Sequence, residues 1–328
     1  NLRSELAGLS KSDEYLAVWL NPTGRPDSLV LNLQTRRTPA RLMVASAAYD
    51  NDLGGQIWIG VADRGRLIHG LELSSLGLVG ELRKELSAGI RLGAYGHRRL
   101  RPFMDGRLVW EDVRQFTALG ADLPAIATRE RSVSAGLELR VGSEWLLALG
   151  GSFQGWDSDS ASANEAAGVM ARLTSGPSFR PSRLLAAGEF NPVFRRVEGE
   201  ARHRFAIGSF KITPGAAFGW GDSLPLERTF QLGGLDGFPG YRIGELRGDR
   251  MAFAQLTIDR LLLGPVGGRL RAATGQVANG GPPIPEQGWE FGFGAGLTAV
   301  SPVGPIVLEY GIAVDGPDRF LLRVGEWF

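Results

Sequence analysis

The residues able to do chemistry in this chain are few and scattered. Among 328 residues there is no Cys, and the only imidazoles are His69, His97 and His203. That removes thiol nucleophiles, thiolate metal sites and disulfides, and leaves too few histidines for an imidazole cluster. Serine-lipase chemistry needs a Gly-x-Ser-x-Gly elbow holding a strained, exposed serine, and the chain contains none. Glu198 and Glu200 share a strand face with Arg196, Arg202 and Arg204. That row reads as an ion-pair network rather than an acid/base pair. Gly-Gly-Leu-Asp-Gly at 233–237 lacks the Lys-Ser/Thr of a phosphate cradle and the carboxylates of a Ca²⁺ loop. His203 has the outward parity of Val197, Ala201 and Phe205, where a barrel phospholipase would carry its base. No serine lies at a two-residue offset on that face, so an interfacial histidine is the simpler reading. His97 opens a basic run to Arg101 that suits a solvated polar loop. The sequence therefore predicts no enzyme and no cofactor in this chain.

Charge and composition narrow the partners. Lys+Arg 36 against Asp+Glu 35 gives a net charge of +1, without the basic excess of a nucleic-acid-binding domain. Glycine is high, 47 of 328, about twice the usual ~7%. It follows no collagen period and is spread through apolar segments. No run approaches 18 apolar residues, so no transmembrane helix is expected. Mean hydropathy is -0.05, which suits a soluble protein or a membrane β-barrel equally, because a barrel wall alternates lipid-facing and lumen-facing residues. The chain opens at Asn1 and reads as part of something longer.

The elements these residues must sit on are strands. In 289–297, Trp289, Phe291, Phe293, Ala295 and Leu297 oppose Glu290, Gly292, Gly294 and Gly296. In 132–141, Val133, Ala135, Leu137, Leu139 and Val141 oppose Ser132, Ser134, Gly136, Glu138 and Arg140. Period-two alternation recurs over 41–49, 54–63, 67–77, 80–93, 107–117, 131–142, 144–156, 165–173, 195–207, 209–221, 228–233, 250–262, 267–277, 288–300, 304–314 and 319–328. That makes sixteen strands. Residues 80–92 also fit a short helix, and 174–194 shows no clean alternation. Tight turns are expected near 64–66, 142–144 and 301–303, and longer loops at 157–164, 234–249 and 278–287.

A soluble sandwich would show the same alternation. Three features favour a membrane barrel. The polar face is unusually small or charged, as a lumen requires. Trp58, Trp110, Trp145, Trp156, Trp220, Trp289 and Trp327 lie near segment ends, as in an interfacial girdle. The chain also ends on a strand closed by Phe328. Residues 1–40 differ: a polar, helix-compatible stretch precedes a hairpin of 15–19 and 28–33.

The segment 228–249, RTFQLGGLDGFPGYRIGELRGD, resembles the sixth-loop region of the outer-membrane insertase and two-partner-secretion transporter superfamily. There, a strand ending in Phe and a Gly-Gly pair, here Phe230 with Gly233 and Gly234, leads to an Arg-Gly-aromatic signature. The matching positions here are Pro239, Gly240 and Tyr241, preceded by Phe238, so Pro239 stands where the family has its arginine. That arginine pins the loop tip to an acidic group on the inner wall, and Arg242 is the neighbouring cation. The departure resembles the branch fused behind a patatin-like phospholipase, type Vd autotransporters. The ending, with Phe320, Leu322, Val324 and Phe328 alternating, resembles the outer-membrane assembly signal, with Glu326 at a usually apolar position. Residues 1–40 resemble the end of a periplasmic POTRA domain.

The resemblance implies an all-β, 16-stranded antiparallel transmembrane β-barrel over 41–328, behind the C-terminal part of a POTRA-like domain over 1–40. It implies the bacterial outer membrane, a periplasmic N-terminus, and contact with outer-membrane lipid and the assembly machinery. The expected function is translocator and anchor of a fused passenger, with self-association in the bilayer allowed. The alternatives are a porin-like diffusion channel and a barrel phospholipase.

Overall fold

A computed structural model describes residues 15–25, 28–37, 41–64, 67–68, 70–92, 100–116, 122–141, 145–159, 161–175, 183–233, 238–284, 288–301, 304–314, 316 and 318–325. In chain order the strands are β1 (Tyr15–Arg25), β2 (Ser28–Arg37), β3 (Arg41–Asp50), β4 (Gly54–Arg64), β5 (Leu71–Gly80), β6 (Arg83–Leu92) and β7 (Leu100–Phe116). There follow β8 (Asp122–Val141), β9 (Trp145–Ser158), β10 (Ala161–Ser175), β11 (Arg183–Phe190), β12 (Arg195–Arg202), β13 (Phe205–Ile207) and β14 (Phe210–Asp222). The last are β15 (Phe230–Leu232), β16 (Leu246–Gly248), β17 (Arg250–Leu263), β18 (Val266–Ala278), β19 (Glu290–Ser301), β20 (Gly304–Ala313) and β21 (Asp318–Val324).

Strands β3 to β14 and β17 to β21 close into one antiparallel barrel. Both β12 and β13 pair with β14, so they form one interrupted strand and the wall has sixteen. β1 and β2 form a separate antiparallel hairpin, the hairpin expected there. Residues 1–14, the polar, helix-compatible stretch, lie outside the described residues.

The count of sixteen holds, but two members change. The expected strand at 228–233 leaves the wall: its alternation is real, yet Phe230–Leu232 pairs only with Leu246–Gly248. Its place is taken by β11, where Leu-Leu-Ala-Ala, downstream of Pro177 and Pro181, conceals the alternation. Residues 83–92 are strand, not helix. The loop expected at 157–164 is largely absorbed into β9 and β10.

The exterior is apolar. Ile57, Ile59 and Val61 on β4, Val133, Leu137 and Val141 on β8, and Phe291, Phe293 and Leu297 on β19 are all exposed. Left to water, so many large apolar side chains would be prohibitive; against hydrocarbon they are the wall of a membrane barrel. From Arg131 to Val141 the chain runs about 33 Å along β8, or about 25 Å along the axis at a tilt of ~40°, the height of a lipid-facing band. Of the expected girdle, Trp110, Trp145 and Trp289 are exposed. Trp58 and Trp156 are corrections: both are buried inside, Trp58 beside Leu78 and Trp156 against Phe194. Parity decides this, since each shares a face with buried neighbours such as Gln56 and Gln154. Trp327 lies outside the described residues.

At the seam that closes the barrel, β21 meets β3, among the described residues, through Leu321–Asp50, Leu322–Tyr49, Arg323–Ala48 and Val324–Ala47. One end of the barrel, here the proximal end, carries Arg41 and Val324. The β14–β17 connection is the sixth at the opposite, distal end.

Candidate functional site

The β14–β17 connection folds into the lumen. A short 3-10 turn, Leu226–Arg228, leads into β15, and β16 returns the chain to β17. Phe230 is buried where Gly219 offers no side chain: a Cβ there would lie 2.5 Å from the ring. The Arg196 guanidinium sits 4.7 Å above the same ring. Leu232 is buried over Gly275 in the same way.

The tip, Phe238–Tyr241, is pressed onto the inner faces of β19 and β20. Phe238 is 0% exposed and meets Tyr241 edge-on at 5.4 Å, with Phe253 at 6.1 Å. The wall accepts the tip because it is glycine there. A Cβ on Gly292 would lie 2.4 Å from the Pro239 carbonyl oxygen, and one on Gly311 would lie 3.0 Å from the Gly240 nitrogen. From the loop side, a Cβ on Gly240 would lie 2.1 Å from the Ala313 nitrogen. Gly240 also has φ of +90°, a region that L side chains rarely occupy.

Polar contacts fix the tip laterally. The Tyr241 hydroxyl donates to Glu290 Oε2 at 2.6 Å. Arg319 Nη1 on β21 donates to the Tyr241 carbonyl at 3.4 Å. Arg319 also pairs with Asp50 of β3, which is 0% exposed, so one buried ion pair crosses the seam. On the other side of the seam, the Ile243 N–H donates to Asp52 Oδ2 at 3.0 Å. Ile243 packs on a luminal cluster of Ala48, Leu53, Trp58, Leu78 and Leu321. Arg114 pairs with both Asp52 and Asp122. Burial pushes the Asp52 carboxyl above its ordinary value, against the opposing pull of the Ile243 N–H and Arg114. The loop thus straddles the closure seam from within, holding β19–β21 on one side and β3–β4 on the other.

The residues singled out in the sequence fall into three places. Gly233, with φ of +118°, Phe238, Pro239, Gly240, Tyr241 and Arg242 are in the loop; Gly234 lies outside the described residues. Pro239 makes no ionic anchor. Arg242 bonds Glu245 of the same loop at 3.3 Å and Asp122 of β8 at 3.4 Å, and lies 4.3 Å over the Phe116 ring. The carboxylates around it hold its guanidinium protonated against its desolvation. Arg196, Glu198, Glu200 and Arg202 line the lumen face of β12, with Arg196–Glu198 at 2.9 Å and Glu200 at 3.9 Å from both Arg183 and Arg202. Arg204 sits in the break between β12 and β13, with Nε 3.3 Å from Thr213 Oγ1. Phe320, Leu322 and Val324 share the outward face of β21; Phe328 and Glu326 lie outside the described residues. His203 is exposed and edge-on to Phe205 at 4.5 Å; His69 and His97 lie outside the described residues.

Sequence reasoning missed three contributors. Arg319 and Asp50 sit in strands that read as ordinary wall, and Arg228, which reaches Glu130 at 2.8 Å and Glu189 at 3.9 Å, looks like a strand residue. Their partners are remote in sequence, so no local spacing announces them. Among the described residues no group of His, Cys, Asp and Glu could hold a metal ion.

No protein-family model matches the chain, and no curated protein does. Solved structures do match. The crystal structure of BamA from Haemophilus ducreyi lacking POTRA domains 1-3 superposes with a TM-score of 0.68 at 12% identity, over 98% of this chain and 78% of that one. CdiB from Acinetobacter baumannii gives 0.64 at 14% identity, over 98% and 67%. CdiB from Escherichia coli gives 0.64 at 14%, over 99% and 70%. This chain has the fold of the BamA and CdiB barrels.

Proposed function

We propose that this chain is an outer-membrane barrel that translocates and anchors a polypeptide, with its N-terminus in the periplasm. The observation that carries this reading is the aromatic-tipped loop seated in a glycine groove and clasping the β21–β3 closure seam. A passive pore has no need to tie a luminal loop to the closure of its own wall. A translocator does: a loop released from the seam loosens the barrel where its first and last strands close it. The likeness in fold to BamA and CdiB supports the same reading. The charged inner wall keeps the passage wetted. The chain itself performs no catalysis, and energy comes from outside the membrane step, such as folding of the passenger at the surface.

In the finer reading the passenger is fused upstream and is a patatin-like phospholipase. Residues 1–40 are then the end of a POTRA-like domain, and Phe320, Leu322, Val324 and Phe328 are read by the assembly machinery. The test is surface display of a fused passenger from a Gly240/Tyr241 double variant, measured against barrel abundance. Display is expected to fall while the barrel assembles; normal display from a well-assembled variant sinks the assignment. Bilayer conductance separates the porin-like alternative: a large ohmic pore, unchanged by deleting 235–247, would favour it.

A further inference from the structure

Ion pairing inside the barrel is uneven along its axis. Midway along the wall, cation and carboxylate are matched: Arg196 meets Glu198 at 2.9 Å and Arg107 meets Glu85 at 2.7 Å. At the proximal mouth they are not. Arg140 on β8, Arg172 on β10, Arg183 on β11, Arg202 on β12 and Lys211 on β14 all stand at or close to the proximal ends of their strands. They face the lumen. Arg183 and Arg202 are register partners, Arg172 aligns through Ala187 with Glu198, and Lys211 shares the face of Gly219, which the loop covers. Arg204, in the break between β12 and β13, adds a further cation.

The carboxylates that reach this arc are already engaged. Glu200 is divided between Arg183 and Arg202, 3.9 Å from each. Asp259, the register partner of Lys211, is held at two points by Arg269, at 2.7 Å and 3.2 Å. Glu138, 1% exposed, is bracketed by Arg91 at 3.2 Å and Arg101 at 2.9 Å. The neighbouring turns, 142–144 and 176–182, hold one Glu and one Arg in the sequence, which leaves the balance unchanged. The side chains of Arg172 and Lys211 make no ion pair or hydrogen bond among the described residues. Arg172 is half-buried and Lys211 exposed. The mouth therefore presents an excess of positive charge along one arc of its wall. A cleft lined by one sign of charge focuses its field and concentrates ligands of the other sign.

We propose that this arc receives an acidic segment of the exported polypeptide, with Arg172 and Lys211 taking carboxylates that the chain itself does not supply. From β8 to β14 the wall crosses five strand spacings, or roughly 24 Å at ~4.8 Å each. An extended chain covers that span with about seven residues at ~3.3 Å each. A small anion meets one or two of these cations at a time, whereas a polymer bearing several Asp or Glu meets the whole arc. The assignment rests on the translocation and the periplasmic N-terminus proposed above. Arg41 lies at the proximal end, so this mouth is then the one a passenger enters.

The test is fluorescence anisotropy of a peptide of about ten residues alternating Glu with Gly, which sets its carboxylates on one face when extended. It carries a neutral dye and is titrated with the purified full chain in uncharged detergent. The matching Lys–Gly peptide and free glutamate as competitor are measured alongside. The Glu–Gly peptide is expected to bind, more weakly as salt rises, and the Lys–Gly peptide is not. Arg172→Gln/Lys211→Gln should weaken the Glu–Gly peptide roughly two- to thirty-fold, as two solvent-accessible ion pairs warrant. Lys211→Gln alone is read if the double variant does not assemble, and a smaller loss is expected. Lys84→Gln/Arg129→Gln removes the same charge from the distal exterior and should leave affinity at the parent value. Affinity unchanged in the mouth variants, or lowered equally by the exterior pair, overturns the site. Free glutamate binding as tightly as the peptide overturns the polypeptide assignment. Binding is read without a passenger, so its failure is distinct from failure of display.

Discussion

Placing a methyl group on the wall at Gly292 should release the loop as effectively as altering the loop itself. In Gly292→Ala the new Cβ would lie 2.4 Å from the Pro239 oxygen and 2.6 Å from Phe238 Cε1, where ordinary contact starts at 3.4 Å. The tip must retreat by the difference, 3.4 − 2.4, or about 1 Å. A gap of that size forfeits roughly a quarter to a half of each contact's well. Phe238 and Tyr241 each gain about 1.5–3 kcal/mol from burial, so the loss is about 1–3 kcal/mol, or roughly five- to 150-fold in docked population. Gly240→Ala adds about 1–2 kcal/mol for a non-glycine residue at positive φ. Gly264→Ala is the control: its φ is +55° but its Cβ would meet nothing, so it carries the strain without the clash. The assay is limited trypsin cleavage at Arg242 and Arg247 in assembled barrel, with assembly checked by heat-modifiable migration. Cleavage should accelerate in Gly292→Ala and more in Gly240→Ala, and stay at the parent rate in Gly264→Ala. A Gly292→Ala loop as resistant as the parent's would refute the seating argument.

Arg319→Ala leaves the fully buried Asp50 without its partner at the seam. Losing one member of a buried pair costs about 3–5 kcal/mol, and a lower urea midpoint for the assembled barrel would register it. Deleting Phe328 is expected to reduce assembly into the membrane; unchanged heat-modifiable migration would count against that. Burial raises the Asp52 carboxyl, so the folded chain holds that proton more tightly than the unfolded one. Its contribution to stability therefore falls as pH rises from the ordinary carboxylate value through the folded one, and is level above it. The loop should accordingly be no less protected from proteolysis at about pH 5 than at neutral pH on this group's account, and release on mild acidification that Asp52→Asn abolishes would contradict it.

The sequence by itself determined the wall. Alternation along 132–141 and 289–297 states which side chains face outward, because a strand has period two whatever it pairs with. It also located the loop, since Gly-Gly and Phe-Pro-Gly-Tyr interrupt that period. Tertiary structure decided what alternation cannot carry. Phe230–Leu232 alternates as well as any wall segment but is three residues long with a single partner, whereas Arg183–Phe190 conceals its pattern and is held in the wall by partners on both sides. Trp58 and Trp156 turned inward because parity, not residue type, selects the face. The glycine excess gained its reason only in three dimensions. Gly292, Gly311 and Gly240 come from two wall strands and a loop, and they form one seat because barrel closure brings β19 and β20 under a tip some fifty or more residues away in the chain. Contacts so remote leave no trace in local spacing, which is why the loop was legible in the sequence and its hold on the seam was not.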